Sequence, residues 1–261
     1  MRLLVSIVAL VGLSGLLIVP EAGHGGPGHH ACTDPNYTTS ADQGRVSYGS
    51  EVVSQDVWNP ASISQTLSAC AGNSWKVKAT VNNEGGAVQS YPDTNVTTPA
   101  TELSSFSTLT SNFRLTDPPT GAGLSYEGAF DIWLGDENEW ADASSHTEMM
   151  IWNYTVGSRA PAGSQVGTTT LDGHTFSVWL AGGIGQSNGD IVSFEATTNY
   201  EAAHTNLLPF FTYAAGQGWL EAGINTYLWQ VDYGLELVAT PKGTVFNLEA
   251  FNIVGNGKEL T

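Results

Sequence analysis

The chain has 261 residues, with 25 acidic against 8 basic side chains and a net charge of −17. Such an excess repels nucleic-acid phosphates and anionic membranes and leaves uncharged polymers as partners. Charged residues are only 13% of the chain and hydrophobic ones 41%, so this is no acidic disordered tail and a core can form.

At the N-terminus Arg2 precedes an apolar run, Leu3 to Val19, followed by Pro20-Glu21-Ala22-Gly23. The run is short of the about 20 residues a membrane span needs. It reads as a secretory signal over 1–22, which places the mature protein outside the cell. Residues 23–31, with Gly-His-Gly-Gly-Pro-Gly-His-His, read as a flexible linker. Its histidines His24, His29 and His30 lack the Cys or carboxylate partners a metal site needs. One domain, 32–261, follows. Cys32 and Cys70 are expected to pair in an oxidising compartment. Asn36-Tyr37-Thr38, Asn95-Val96-Thr97 and Asn153-Tyr154-Thr155 are acceptor triplets for N-glycosylation.

From Cys32 onward, short strands alternate with polar turns. Val46 to Val57 alternates and stops at Trp58-Asn59-Pro60. In Trp75 to Val81 the residues Trp75, Val77, Ala79 and Val81 face inward. Asn82-Asn83-Glu84-Gly85-Gly86 reads as a turn. A strand through Val88 and Tyr91 is closed by Pro92-Asp93. Further strands are expected in Leu103–Leu115, Leu124–Leu134, Glu148–Val156, Thr168–Leu171, His174–Leu180, Ile191–Ala196, Tyr227–Leu237 and Thr244–Val254. Thr205-Asn206, Pro209 and Gly216 bracket one short helix. Many strands, one helix and no βαβ rhythm predict an all-β fold, a two-sheet antiparallel β-sandwich of jelly-roll type.

The run His146-Thr147-Glu148-Met149-Met150-Ile151-Trp152 puts one carboxylate into an otherwise apolar strand. Period two sets Glu148, Met150 and Trp152 on one face and Met149 and Ile151 on the other. An acid in that company costs free energy unless it is paired or used. In the penultimate strand Tyr227, Trp229, Val231, Tyr233, Leu235 and Leu237 share one face. Leu228, Gln230, Asp232, Gly234 and Glu236 share the other. Asp131 shares a face with Trp133. Two carboxyl groups flanking a bond are what glycosidic cleavage requires, one ionised to attack and one protonated to release the leaving oxygen.

With these residues in view, Glu148-Met149-Met150-Ile151-Trp152 resembles the nucleophile strand of glycoside hydrolase family 12, secreted endo-β-1,4-glucanases and xyloglucanases. Asp131-Ile132-Trp133-Leu134, upstream, is similar to the family's assisting-Asp strand. Val57-Trp58-Asn59 resembles its cleft tryptophan, Gln89-Ser90-Tyr91-Pro92 its cord, Ala160-Pro161-Ala162-Gly163 its Pro-Gly loop, and Gly234-Leu235-Glu236 its acid/base strand. The resemblance implies Glu148 as nucleophile, Glu236 as acid/base and Asp131 hydrogen-bonded to the nucleophile. It implies Trp58, Asp56, Tyr91, Met150, Trp152 and Pro161 along the substrate. His146 fits no family role. Gln89 stands where the family has Lys, and Leu237-Val238 follows the acid/base Glu where Pro or Phe is common.

The implied activity is retaining endo-hydrolysis of β-1,4-glucan chains (cellulose, mixed-linkage glucan or xyloglucan) by a secreted monomer without metal or other cofactor. Glu236 is expected to carry the proton and Glu148 to stay ionised. A non-catalytic carbohydrate-binding sandwich would need the aromatics but no carboxylate pair, and a xylanase of the related jelly-roll group would share the pair.

Overall fold

Alternating apolar and polar side chains make strands, and strands with one apolar face must stack. The computed structural model describes residues 17–18, 31–82, 86–137, 147–182 and 190–260. The linker histidines, most of the Asn82–Gly86 turn, the Asn138-Glu139-Trp140 loop and His146 lie outside the described residues. Of the expected signal segment only Leu17–Ile18 is described, a two-residue strand beside Val46 and Ser47.

The fold is a β-sandwich of two layers that share one strand, Tyr227–Gly255. Its first half lies between Asp93–Glu102 and Ser125–Gly135 in one layer. Its second half lies between Ser74–Val81 and Leu109–Thr116 in the other. The chain changes layer where the register shifts between Thr240 and Thr244. The two strands expected here are thus one continuous strand.

In the first layer the order runs Arg45–Tyr48, Glu51–Ser54, Asp93–Glu102, the shared strand, Ser125–Gly135, Thr147–Val156, Asp190–Ala196, His174–Ala181 and Ser164–Leu171. Thr147–Val156 pairs with Asp190–Ala196 in parallel, because the hairpin of the last two strands intervenes in sequence. That hairpin turns on Asp172-Gly173, both at positive φ (47° and 81°), the two-residue turn whose twist matches the strands.

The core lies between the layers. Trp75, Val77, Ala79 and Val81 are buried as expected. The Trp75 indole donates to Thr94 Oγ1 at 2.8 Å, and Thr94 donates to Gly72 O at 2.6 Å, so the buried polar atoms are paired. Phe113 packs on Phe130 and Tyr233 at centroid distances of 5.3 and 4.6 Å. The Tyr233 hydroxyl donates to Asn153 Oδ1 (3.0 Å), and Asn153 Nδ2 donates to Tyr200 O (2.8 Å). Asn153 is fully buried and Asn95 is partly buried within the sheet, so of the three acceptor triplets only that of Asn36 is exposed at its asparagine.

The helix is Leu208–Gly216, and Phe210, Phe211 and Ala214 are its buried face. Its start and stop differ from expectation. Thr205 and Asn206 belong to the strand Ala202–Asn206, although Asn206 Oδ1 accepts from Leu208 N at 3.2 Å. Gln217 caps the end, and the positive-φ glycine is Gly218 rather than Gly216. Cys32 and Cys70 are joined in a disulfide, with Cα atoms 5.4 Å apart.

Candidate active site

Cross-strand partners point to the same face of a sheet, so the registers of the first layer can be read as rows. Glu148, Trp133, Gln230 and Thr97 form one row. Met150, Asp131, Asp232 and Asn95 form the next. Trp152, Ala129, Gly234 and Asp93 form the third. Glu127 and Glu236 are partners beyond it. The opposite faces of these strands carry Met149, Ile151, Phe130, Ile132, Val231 and Tyr233, all in the sandwich core. The expected faces hold from Gln230 onward; a register shift between Leu228 and Gln230 turns Leu228 into the core and leaves Tyr227 and Trp229 outside it.

Glu236 lies six residues beyond Gln230, about 20 Å along a straight strand. Yet the Glu236 charge reaches Glu148, and both it and Glu148 reach Asp131. The carboxyls of the first and last rows thus act on one another across the two middle ones. Met150, Trp152 and Ala129 form a small apolar cluster on that floor, separate from the main core and flanked by Ile191.

Burial, then Glu236, pushes the Glu148 carboxyl up from its ordinary value. Burial pushes Asp131 well up, reinforced by Glu148, Asp232, Glu236 and Asp93. Asp232 is raised by burial and pulled partly back by the Gln230 amide, which donates to it at 2.8 Å. Burial and clustered like charge thus both oppose ionisation of Glu148 in the free cleft. The raised Asp131 is suited to hold a proton and donate it in a hydrogen bond. Among the described residues, Asp131 Oδ1 and Asp232 Oδ1 meet no donor at full hydrogen-bond geometry, and the Trp133 indole is close enough to Asp232 to pull its carboxyl partly back. No three His, Cys, Asp or Glu of the described residues converge as a metal site.

Trp58 is 50% exposed. Its indole donates to Asp56 Oδ2 at 2.8 Å, and its amide donates to Gln89 O at 2.9 Å. Gln89 N in turn donates to Leu237 O (2.8 Å), and Leu237 N donates to Ser90 O (2.9 Å). The Trp58 loop and the cord are thus fastened to the strand of Glu236. Gly234 is required here, because a Cβ would collide with Pro92 O and with Asp93. Asp56 adopts φ 40°, a region Asp tolerates. Tyr91 lies among Asp131, Asp232, Asp93 and Glu236, but it is buried and its hydroxyl donates to Ala129 O at 3.0 Å. It supports the floor, and its one donor is already used. Pro161 is buried in the loop after Thr147–Val156.

Sequence reasoning did not single out four charged residues here. Asp93, read as closing a strand, opens one instead and is buried. Asp232 and Glu127 share the faces of Glu236 and Asp131, so period two carried the signal. Arg159 donates from Nε to Glu127 Oε1 at 2.8 Å and places Nη2 3.7 Å from Glu236 Oε2; its loop position carried no signal.

The profile of glycosyl hydrolase family 12 matches residues 49–255. A probable xyloglucan-specific endo-β-1,4-glucanase A of Aspergillus niger is 31% identical over 178 residues, 63% of this chain and 70% of that one. Among solved structures, a thermostable cellulase derived from an enzyme of Rhodothermus marinus superposes with a TM-score of 0.73 at 23% identity, over 84% of this chain and 99% of that one. The xyloglucanase domain of a type three effector from Sinorhizobium fredii, in complex with cellobiose, gives 0.71 at 23% identity, over 85% and 100%. At that identity the two structures speak for the jelly-roll fold, and the matched profile speaks for the lineage: the chain belongs to glycosyl hydrolase family 12 and is a glycoside hydrolase.

Proposed function

We propose that the cleft hydrolyses β-1,4-glucan chains at internal bonds with retention of anomeric configuration. The observation that carries this reading is the pair Glu148 and Glu236 on one face of the sheet, each close enough to act on the Asp131 charge between them. Glu148 attacks the anomeric carbon and forms a glycosyl-enzyme. Glu236 gives its proton to the departing oxygen, then takes one from the water that releases the sugar. A proton on Asp131, donated toward Glu148, stabilises the ionised nucleophile against the burial that opposes it. Retention calls for carboxyl groups about 5–5.5 Å apart, inversion for about 6.5–9.5 Å.

The exposed face of Trp58 is a platform for a sugar ring, with Asp56 fixing its plane and accepting from sugar hydroxyls. Met150 and Trp152 form an uncharged floor under the bond. A neutral polymer enters this acidic cleft without the repulsion a polyanion would meet. Secretion as a monomer is part of the same proposal, and the glucanase names of the relatives support the substrate class.

The test is reducing-end release from carboxymethylcellulose, barley β-glucan, xyloglucan and xylan, with Glu148→Gln in parallel, and NMR of the first product's anomer. Release from a glucan with a β-anomer first, abolished in the variant, supports the reading. Release only from xylan replaces the substrate class. An α-anomer first refutes retention, and no release from folded protein leaves a binding module.

A further inference from the structure

We propose that Glu127 and Arg159 are a positioning pair for Glu236, holding its carboxyl at the angle from which it passes a proton to the leaving oxygen. The proposal rests on the acid/base reading of Glu236.

Glu127 is the direct cross-strand partner of Glu236, so both side chains rise from the same face at adjacent points. It is fully buried. Its Oε1 accepts from Arg159 Nε at 2.8 Å. Arg159 Nη2 lies 3.7 Å from Glu236 Oε2, and Nη1 donates to Gly86 O at 3.1 Å. The same guanidinium stands 6.0 Å from the centre of the Trp152 ring. One planar cation is therefore held from four sides. It comes from the loop after the nucleophile strand and grips the strand next to the acid/base.

Burying an ion pair is expensive, and a well-packed apolar pair of similar volume is often as stable or more so. Stability alone therefore gives weak reason for a carboxylate at position 127. Its second oxygen supplies a better one. Oε2 is buried and meets no donor at full hydrogen-bond geometry among the described residues. Glu236 is close enough to act on Glu127 both as a charge and as a hydrogen-bonding group. Burial, then Glu236, pushes the Glu127 carboxyl well above its ordinary value, and Arg159 pulls it partly back, so a proton held between the two carboxyls satisfies that oxygen. Facing the pair from the rest of the cleft are Glu148, Asp131 and Tyr91, each raised in part by the Glu236 charge.

In the first step the Glu148 carboxylate supplies the electron pair of the new bond to C1. The C1–O pair leaves with the glycosidic oxygen, which takes the proton from Glu236. Glu236 is then an anion with Arg159 Nη2 beside it, ready to take a proton from water. Glu127 touches neither the sugar nor the reacting atoms in this scheme and acts through Glu236.

The test compares kcat/KM on two substrates. A glucan polymer leaves as a poor alkoxide and needs the acid. 2,4-Dinitrophenyl β-cellobioside leaves as a stable phenolate and does not. A general acid contributes about 10²–10⁴-fold, so Glu236→Gln is expected to lose at least about 100-fold on polymer and little on the aryl glycoside. Glu127→Gln is expected to lose about 10–100-fold on polymer and under about 3-fold on the aryl glycoside, a fraction of the full acid contribution. Arg159→Lys keeps a cation on Glu127 but loses the fork, and should show the same split at smaller size; it decides the matter if Glu127→Gln does not fold. Equal losses on both substrates, or no loss on polymer, overturn the positioning role. No split in Glu236→Gln overturns the acid/base reading instead.

Discussion

Glu51 offers a quantitative check on how this sandwich buries charge. It starts the strand Glu51–Ser54 and is the register partner of Val96, which is buried in the core. Its side chain occupies the space over Gly72, where a Cβ could not fit. Burial, then the charge of Glu259, pushes its carboxyl from 4.5 up to about 8. The folded state therefore binds this proton more tightly than the unfolded chain. Its contribution is fully present below about pH 4.5 and is lost as pH rises toward 8. Linkage gives a loss of about 1 kcal/mol at pH 5 and about 3 kcal/mol at pH 7. Glu51→Gln keeps the shape and removes the charge. The variant should gain on the wild type by about 2 kcal/mol between pH 5 and pH 7. That corresponds to about 4–8 °C in Tm for a domain of this size. Urea midpoints at 25 °C, measured from pH 4 to pH 8, read it directly. A difference that stays flat with pH, or reverses, refutes the placement of a buried, raised carboxyl at this position.

Reducing the Cys32–Cys70 bond, which closes a separation of 38 residues, should cost about 4 kcal/mol by loop entropy, measured as the urea midpoint with and without reductant. Trp58→Ala should raise KM on polymer with kcat nearly unchanged, lowering kcat/KM about 10-fold or more, the loss typical of an aromatic anchor. Asp56→Asn, which leaves the indole donor a partner, should lose less. In a glycosylating host, mass spectrometry should find glycan on Asn36 and none on Asn153, whose amide is buried and hydrogen-bonded to Tyr200 O. Glycan on Asn153 would contradict the core as described.

Much of this arrangement was legible because strand faces obey a period of two. Glu148 with Met150 and Trp152, Asp131 with Trp133, and the inward Trp75 strand all follow from counting. What counting could not supply was register. Whether Glu236 stands opposite Glu127 or Asp131 depends on pairing between segments about a hundred residues apart. The shift at Leu228–Gln230 brings Leu228 into the core and leaves Tyr227 and Trp229 outside it without any local signal. The continuity of Tyr227–Gly255 has no signal in the sequence, because Pro241-Lys242-Gly243 interrupts the alternation just where the strand passes between layers. Arg159 sits in a loop, where no periodicity exists, and its meaning appears only when Glu127 and Glu236 are seen on either side of it. The acid cluster itself, with Asp93 and Asp232 added, explains why the Asp131 carboxyl is pushed well up.

In the proposed mechanism Glu148 becomes covalently bonded to the sugar. The measurement that addresses it most directly is trapping with an activated 2-deoxy-2-fluoro β-cellobioside, followed by peptide mass spectrometry. One fluoroglycosyl group per molecule, on the peptide and at the side chain of Glu148, is the predicted result, and Glu148→Gln should take up none. Label on another carboxylate such as Asp131 or Asp232, or an active enzyme that never accumulates label and releases inverted product, would contradict the account.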